Sequence, residues 1–388
     1  MGNYKKLCLL AVIVTTAVLI FVSCTGQPLK QSLTPPPPDP ADWPMFHLNL
    51  ERSGFNDTEK VLKPPLELKW KFNANTGSKA NSTAAVVGGM LYLGSGDSNV
   101  YALDAETGTL KWKYQTDGDC YSSPAVSNGK VYIGSYDGKL YALKAQTGEL
   151  VWSFQTGDEV RSSPAVVNGI VYFGSHDSSF YALDAETGAL KWSYKTGSLV
   201  SSSPAVVSGV VYFGSWDGSV YALSARTGGL IWSYKTGAAV FSSPAVVGGV
   251  LYIGSDDFSV YGLDAGSGKL IWQYKTGDQV RCSPGVAYGR VYVGSYDNYL
   301  YALDAATGKP LWSYQTGHWI RAAPAIANGV VYSGSFDNTL FALEANTGKL
   351  LWSYATGSTV TAGPTVSRDT VFMPSWDGSV YAFVKGIP

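Results

Sequence analysis

From residue 80 onward the chain cycles through short apolar runs separated by turn residues. Within residues 162–195, the runs 164–167, 170–174, 180–183 and 190–195 alternate apolar with polar positions or are β-branched, and Asn168-Gly169, His176-Asp177 and Glu186-Thr187-Gly188 separate them. Such runs predict strands, and Asn-Gly between the first two is a strong signal for a two-residue hairpin. Each unit therefore reads as a four-stranded antiparallel meander, strands A to D.

The unit recurs in register. Trp70, Trp112, Trp152, Trp192, Trp232, Trp272, Trp312 and Trp352 mark it, every interval being 40 residues except the first, which is 42. Asp97, Asp137, Asp177, Asp217, Asp257, Asp297, Asp337 and Asp377 keep the same step, as do Tyr101, Tyr141, Tyr181, Tyr221, Tyr261, Tyr301, Phe341 and Tyr381. A lone four-stranded sheet leaves both faces open, whereas copies stacked in a ring cover one another, so the repeat predicts an all-β, eight-bladed β-propeller. Strands A to C occur eight times, the last set at 361–383 having no tryptophan strand after it, and the spare strand D lies at 66–72 around Trp70. Pairing of these two segments would close the ring and remove a free sheet edge. The eight tryptophans are expected to dock between blades, and the eight aspartates to cap the B–C turns through local backbone hydrogen bonds.

Residues 1–65 break the pattern. Lys5 and Lys6 precede an apolar run at 7–22 that ends in Phe21-Val22-Ser23-Cys24, which resembles a bacterial lipoprotein signal, with 1–23 removed and Cys24 lipidated. The alternative is an uncleaved anchor, for which the run is short. Either places the remainder outside the cytoplasm, tethered to the cell membrane or an outer membrane. Residues 24–41 carry Pro28, Pro35, Pro36, Pro37, Pro38 and Pro40 and read as an extended spacer, about 3.1 Å per residue. Residues 42–65 form a leader expected to pack on the propeller, which occupies 66–388. Composition adds exclusions: Lys+Arg 28 against Asp+Glu 29 gives a net charge of -1, so no basic excess points to nucleic acid, and four cysteines are too few for a disulfide-stapled fold.

The C–D segment reads AxDxxTGxxxW, as in Ala102, Asp104, Thr107, Gly108 and Trp112, and again in Ala182, Asp184, Thr187, Gly188 and Trp192. This is similar to the tryptophan-docking motif of pyrroloquinoline quinone (PQQ)-like repeat propellers, and Asp42-Trp43-Pro44-Met45-Phe46 with Arg52-Ser53-Gly54 looks like their opening segment. Lys144, Ser224 and Glu344 replace the motif aspartate, and Ser267 its threonine, without disturbing the fold assignment. The resemblance implies two contrasting functions: quinone-dependent dehydrogenases, with a calcium-bound cofactor under inserted loops, and the non-enzymatic scaffold lipoproteins of the outer-membrane β-barrel assembly machine (BamB-like).

Positions identical in every unit serve the unit, and positions that differ are free to serve something else. A meander puts the A–B and C–D turns on one face and the B–C and D–A turns on the other. The second face carries the variation. Before strand A it presents Tyr121, Arg161, Phe241, Arg281 and Arg321, and in the B–C turns Tyr136, His176, Trp216, Tyr296, Phe336 and Trp376, with Trp319 in a D–A loop. Arginine forks and aromatic planes bind carboxylates, sugars and protein hot spots, so these twelve residues form the candidate binding face; the alternative is that they cover the blade ends. Catalysis has no candidate residues. Blades of 40 residues leave no inserted lid, Cys120 and Cys282 lie four blades apart and read as buried free thiols, and the acidic and histidine residues are scattered. The sequence thus reads as a membrane-tethered protein-binding scaffold without cofactor or metal, the alternatives being a glycan or anionic small-ligand module and a PQQ-dependent dehydrogenase.

Overall fold

The computed structural model describes residues 42–74 and 79–386, and every regular element in them is a β-strand. The expected lipoprotein signal at 1–23, Cys24 as its lipidation site and the expected spacer at 24–41 lie outside the described residues. Eight antiparallel sheets, each with four strands in meander order, form the ring of a β-propeller. Blade 3 is representative: Ala165–Val167 (A), Ile170–Gly174 (B), Ser179–Asp184 (C) and Leu190–Lys195 (D). Blades are numbered from residue 85, and blade 8 completes itself as expected. Its D strand is β2, Leu66–Asn73, which pairs antiparallel with Ser379–Lys385, with Trp70 opposite Ala382. A further short strand, β1 (Phe55–Asn56), lies parallel to strand A of blade 7.

The turn residues act as their chemistry requires. Asn168 and Gly169 hold φ of 51° and 73°, the left-handed pair that matches the twist of a two-residue hairpin. In the B–C turn, Asp177 accepts the Ser179 N–H at 2.8 Å through Oδ1. Its Oδ2 accepts the Tyr181 hydroxyl at 2.6 Å and the Gly157 N–H of the incoming D–A loop at 2.8 Å. One carboxylate thus caps a turn, anchors strand C and ties down the loop from the preceding blade.

Neighbouring blades are latched by their tryptophans. Trp112 donates its indole N–H to the Ala145 carbonyl of the next blade at 2.9 Å, and the Tyr92 hydroxyl donates to the same oxygen at 3.2 Å. Gly148 lies flat against the indole: a Cβ there would stand 2.6 Å from Trp112, and its φ is +74°, so the Thr-Gly turn needs glycine for two separate reasons. The latch recurs from Trp70 to Trp312. Trp352 is the exception, because blade 8 continues as a strand where the others make a Thr-Gly turn. It packs edge-on against Phe383, 5.1 Å between ring centres, and the Tyr332 hydroxyl beside that seam has no partner.

Candidate functional site

The site begins with the leader, whose path no repeat reveals. It runs round the inside of the ring, and its carbonyls at Trp43, Pro44, Leu50, Glu51, Ser53 and Gly54 accept the N–H groups of Val86, Val126, Val206, Val246, Val286 and Ile326 at 2.8–2.9 Å. The inner edges of six A strands are thereby capped. At blade 3 the leader turns inward, with positive φ at His47, Leu48 and Arg52, and places Phe46 on the axis.

Arg52 secures that turn. It is fully buried and all its hydrogen bonds go to carbonyls, of Pro204 at 2.8 Å, Pro164 at 3.1 Å, Ser163 at 3.3 Å and Phe46, while its guanidinium lies 5.5 Å over the Phe46 ring. Burial lowers its pKa to about 9, which leaves it charged at neutral pH. His47 stacks on Phe46 at 4.6 Å and its Nδ1–H donates to the Arg52 carbonyl at 3.0 Å. Burial, the largest influence, pushes its pKa down to about 4 against the opposing effect of that hydrogen bond, so the ring is neutral.

With its floor closed, the axis becomes a cup of about 460 Å³ open on the B–C and D–A face. All eight residues that precede strand A line it: Asn81, Tyr121, Arg161, Ser201, Phe241, Arg281, Arg321 and Thr361. Tyr136 and Trp216 also reach it. Two residues deeper lies a ring of hydroxyls. Ser123, Ser163, Ser203, Ser243 and Ser283 each accept the N–H of the corresponding residue one blade earlier at 2.9–3.0 Å, and Thr83 accepts that of Gly363 at 3.0 Å. These six positions escaped the sequence reading because their near-constancy marked them as serving the unit; on a symmetry axis, constant residues also converge.

The three arginines differ in state. Arg161 pairs with Glu159 at 2.7 Å and lies 4.4 Å over the Tyr136 ring. Arg281 grips Asp256 with two bonds of 2.9 and 2.8 Å and sits over Phe241 and Tyr296 at 4.0 and 5.5 Å. Burial works against its charge, but Asp256 outweighs burial and raises its pKa. Arg321 is exposed and has no carboxylate partner among the described residues. It is felt across the cup by Tyr136, whose pKa burial raises to about 12 against the opposing charges of Arg161 and Arg321.

The remaining predicted residues divide. Tyr296 and Trp319 stack in parallel at 4.7 Å, Phe336 meets Trp319 at 5.7 Å, and Trp376 meets Phe336 at 5.8 Å, forming an aromatic arc along the rim. Lys79 caps the arc 4.0 Å over Trp376. His176 is buried behind the rim, its Nε2 2.7 Å from the Ser201 hydroxyl, where burial and Arg161 lower its pKa; it props the wall and presents nothing to a ligand.

The cup does not fit a calcium-bound quinone. No carboxylate is among its lining residues, Asp256 and Glu159 are engaged by arginines, and no three His, Cys, Asp or Glu side chains among the described residues gather into a metal site. Cys120 and Cys282 are free and buried, with thiol pKa values raised to about 12 chiefly by burial.

In fold, the chain is similar to quinohemoprotein alcohol dehydrogenase from Comamonas testosteroni (TM-score 0.77, 19% identity, covering 90% of this chain and 81% of that one). It is similar also to BamB from Moraxella catarrhalis (TM-score 0.72, 21% identity, 83% and 98% covered) and to a europium-containing methanol dehydrogenase (TM-score 0.77, 16% identity, 89% and 98% covered). Likenesses at these identities speak for the fold alone, which an assembly factor and dehydrogenases share. No curated protein sequence matches the chain. Sequence decides the family: four overlapping matches, at residues 67–139, 121–243, 216–320 and 316–386, show that the chain belongs to the family described as outer membrane protein assembly factor BamB.

Proposed function

We propose that the protein is a non-enzymatic, extracytoplasmic scaffold that binds a protein partner through the open face of its cup, tethered by a lipid on Cys24. One observation carries the reading: the positions that vary from blade to blade converge on a single face, where aromatic rings and guanidinium groups surround an open cavity, while the leader caps the inner strands and floors the cavity. Aromatic and arginine side chains are the residue types that dominate protein-binding hot spots. Family membership favours a role in envelope protein assembly. The donor set at the axis supports the non-enzymatic reading over a quinone dehydrogenase.

In-cell crosslinking of the full chain, followed by identification of the attached protein, tests this. Trp319→Ala and Arg321→Glu alter exposed rim residues and are expected to weaken recovery of the partner without lowering the melting temperature. Loss of recovery on substituting exposed residues of the A–B turns, with the rim variants unaffected, would put the interface on the wrong face. Absence of labelled fatty acid on the wild-type chain would remove the tether, and label that persists in Cys24→Ala would move the lipid off Cys24.

A further inference from the structure

The hydroxyl ring has an unbalanced hydrogen-bond account. Each of its six oxygens already accepts a backbone N–H from the preceding blade, so its own O–H must donate elsewhere. None has an acceptor among the described residues, all are more than nine-tenths buried, and five of them, all but Ser203, line the cup. Asn81 adds a seventh donor at the mouth. Its side-chain oxygen is taken by the Thr361 hydroxyl and by the Trp376 indole N–H, leaving the amide N–H₂ for the cavity. Donors that converge without acceptors select an acceptor-rich group.

Charge narrows the choice. Arg161 and Arg281 are matched by Glu159 and Asp256, so Arg321 is the uncompensated cation of the lining, with Arg52 beneath the floor. Arg52 spends its N–H groups on carbonyls and does not line the cup, so the one uncompensated guanidinium a ligand can touch is Arg321, which matches the single two-oxygen face of a carboxylate. Geometry narrows it again: a cavity floored by Phe46 is blind, so a chain reaches its donors end-on and does not pass through. An amino terminus would meet the same donors and cations and be repelled.

We propose that the cup binds a carboxylate presented end-on, in the first instance the C-terminal carboxylate of a polypeptide, with Arg321 as counter-ion and the hydroxyl ring as donors. The polypeptide form of this ligand rests on the protein-binding reading above; the carboxylate does not.

The test uses the full chain and a random tetrapeptide pool labelled at the N-terminus, offered with a free carboxylate and as the amide, beside citrate and inorganic phosphate as competitors. The free-acid pool is expected to bind about tenfold or more tighter than the amide, as for a hydrogen-bonded charge. Arg321→Gln is expected to erase that preference with an unchanged melting temperature. Ala323→Ser, which restores a hydroxyl at a gap in the ring, is expected to strengthen free-acid binding about threefold. Binding of citrate with neither pool retained would keep the carboxylate and assign it to a free small acid. Equal binding of acid and amide pools, or phosphate bound more tightly than any carboxylate, would overturn the proposal. Neither result touches the crosslinked partner, so failure here and failure of the scaffold reading are separable.

Discussion

Burial decides the protonation of His47, and through it the acid stability of the cup floor. The ring is buried, its Nδ1–H is committed to the Arg52 carbonyl, Nε2 has no partner, and its pKa falls from 6.5 to about 4. Above pH 6.5 both folded and unfolded states are neutral there, and this stability is fully present. As pH falls below 6.5 the unfolded chain takes up a proton that the folded chain refuses, so stability drops by up to about 3 kcal/mol on approach to pH 4. His176 adds a loss of the same sign. His47→Asn keeps an N–H donor and tolerates the φ of 55°, so urea unfolding of this variant is expected to show a shallower loss between pH 6.5 and 4 than the wild type. An unchanged slope would place the acid sensitivity elsewhere. None of this is legible in the sequence, where His47 is one of three dispersed histidines. The turn aspartates were legible, because a residue that accepts from its own i+2 N–H and i+4 hydroxyl needs only local chain, and local chain is what a repeat copies.

At the scale of elements, the A–B turns show what departure from the pattern costs. Seven of them carry glycine at the second left-handed position; blade 8 has Arg368-Asp369 there, at φ of 49° and 61°. Asp369 also faces Glu59 of the leader, and its pKa is raised by burial and by that neighbouring carboxylate. A raised carboxyl pKa means stability retained in acid and lost as pH climbs past the ordinary value. Asp369→Gly removes both the left-handed side chain and the charge while keeping the backbone N–H that donates to Glu59 at 3.0 Å. It is expected to raise stability by about 1 kcal/mol at neutral pH and by less near pH 4, measured by urea denaturation at the two values. The contrast between blades and leader has the same root. Strands A to D announce themselves through alternation and turn residues, whereas the leader holds the ring through main-chain carbonyls at Trp43, Pro44, Leu50, Glu51, Ser53 and Gly54, and a carbonyl leaves no mark on residue type.

A closed wheel is as strong as its seams, and these are unequal. From blade 1 to blade 7, six successive seams carry both a tryptophan and a tyrosine bond to one alanine carbonyl, as Trp192 and Tyr172 bond Ala225 at 3.0 Å each. The seam from blade 8 to blade 1 keeps only the Trp70 bond to Ala105 at 3.2 Å, since Phe372 stands where the others have tyrosine. The seam from blade 7 to blade 8 has neither: Tyr332 has no partner, and Trp352 rests on Phe383. The closing strand β2 is pinned by its pairing with Ser379–Lys385 instead, and Glu59 and Leu62 of the leader brace the adjacent turns through Asp369 and Asn328. The tie lost in Trp192→Phe, an indole hydrogen bond and a plane packed on Gly228, is absent from Trp352 at the start. Trp192→Phe is therefore expected to cost about 1–3 kcal/mol and Trp352→Phe under about 1 kcal/mol, read as shifts in the urea midpoint. Hydrogen exchange of the native protein is expected to open strand A of blade 8 (Thr365–Ser367) before strand A of blade 4 (Ala205–Val207), since opening the ring between blades 7 and 8 breaks the fewest latches. Uniform exchange around the ring, with the two tryptophan variants equally destabilised, would mean that β2 and the leader make the closure as strong as any other seam.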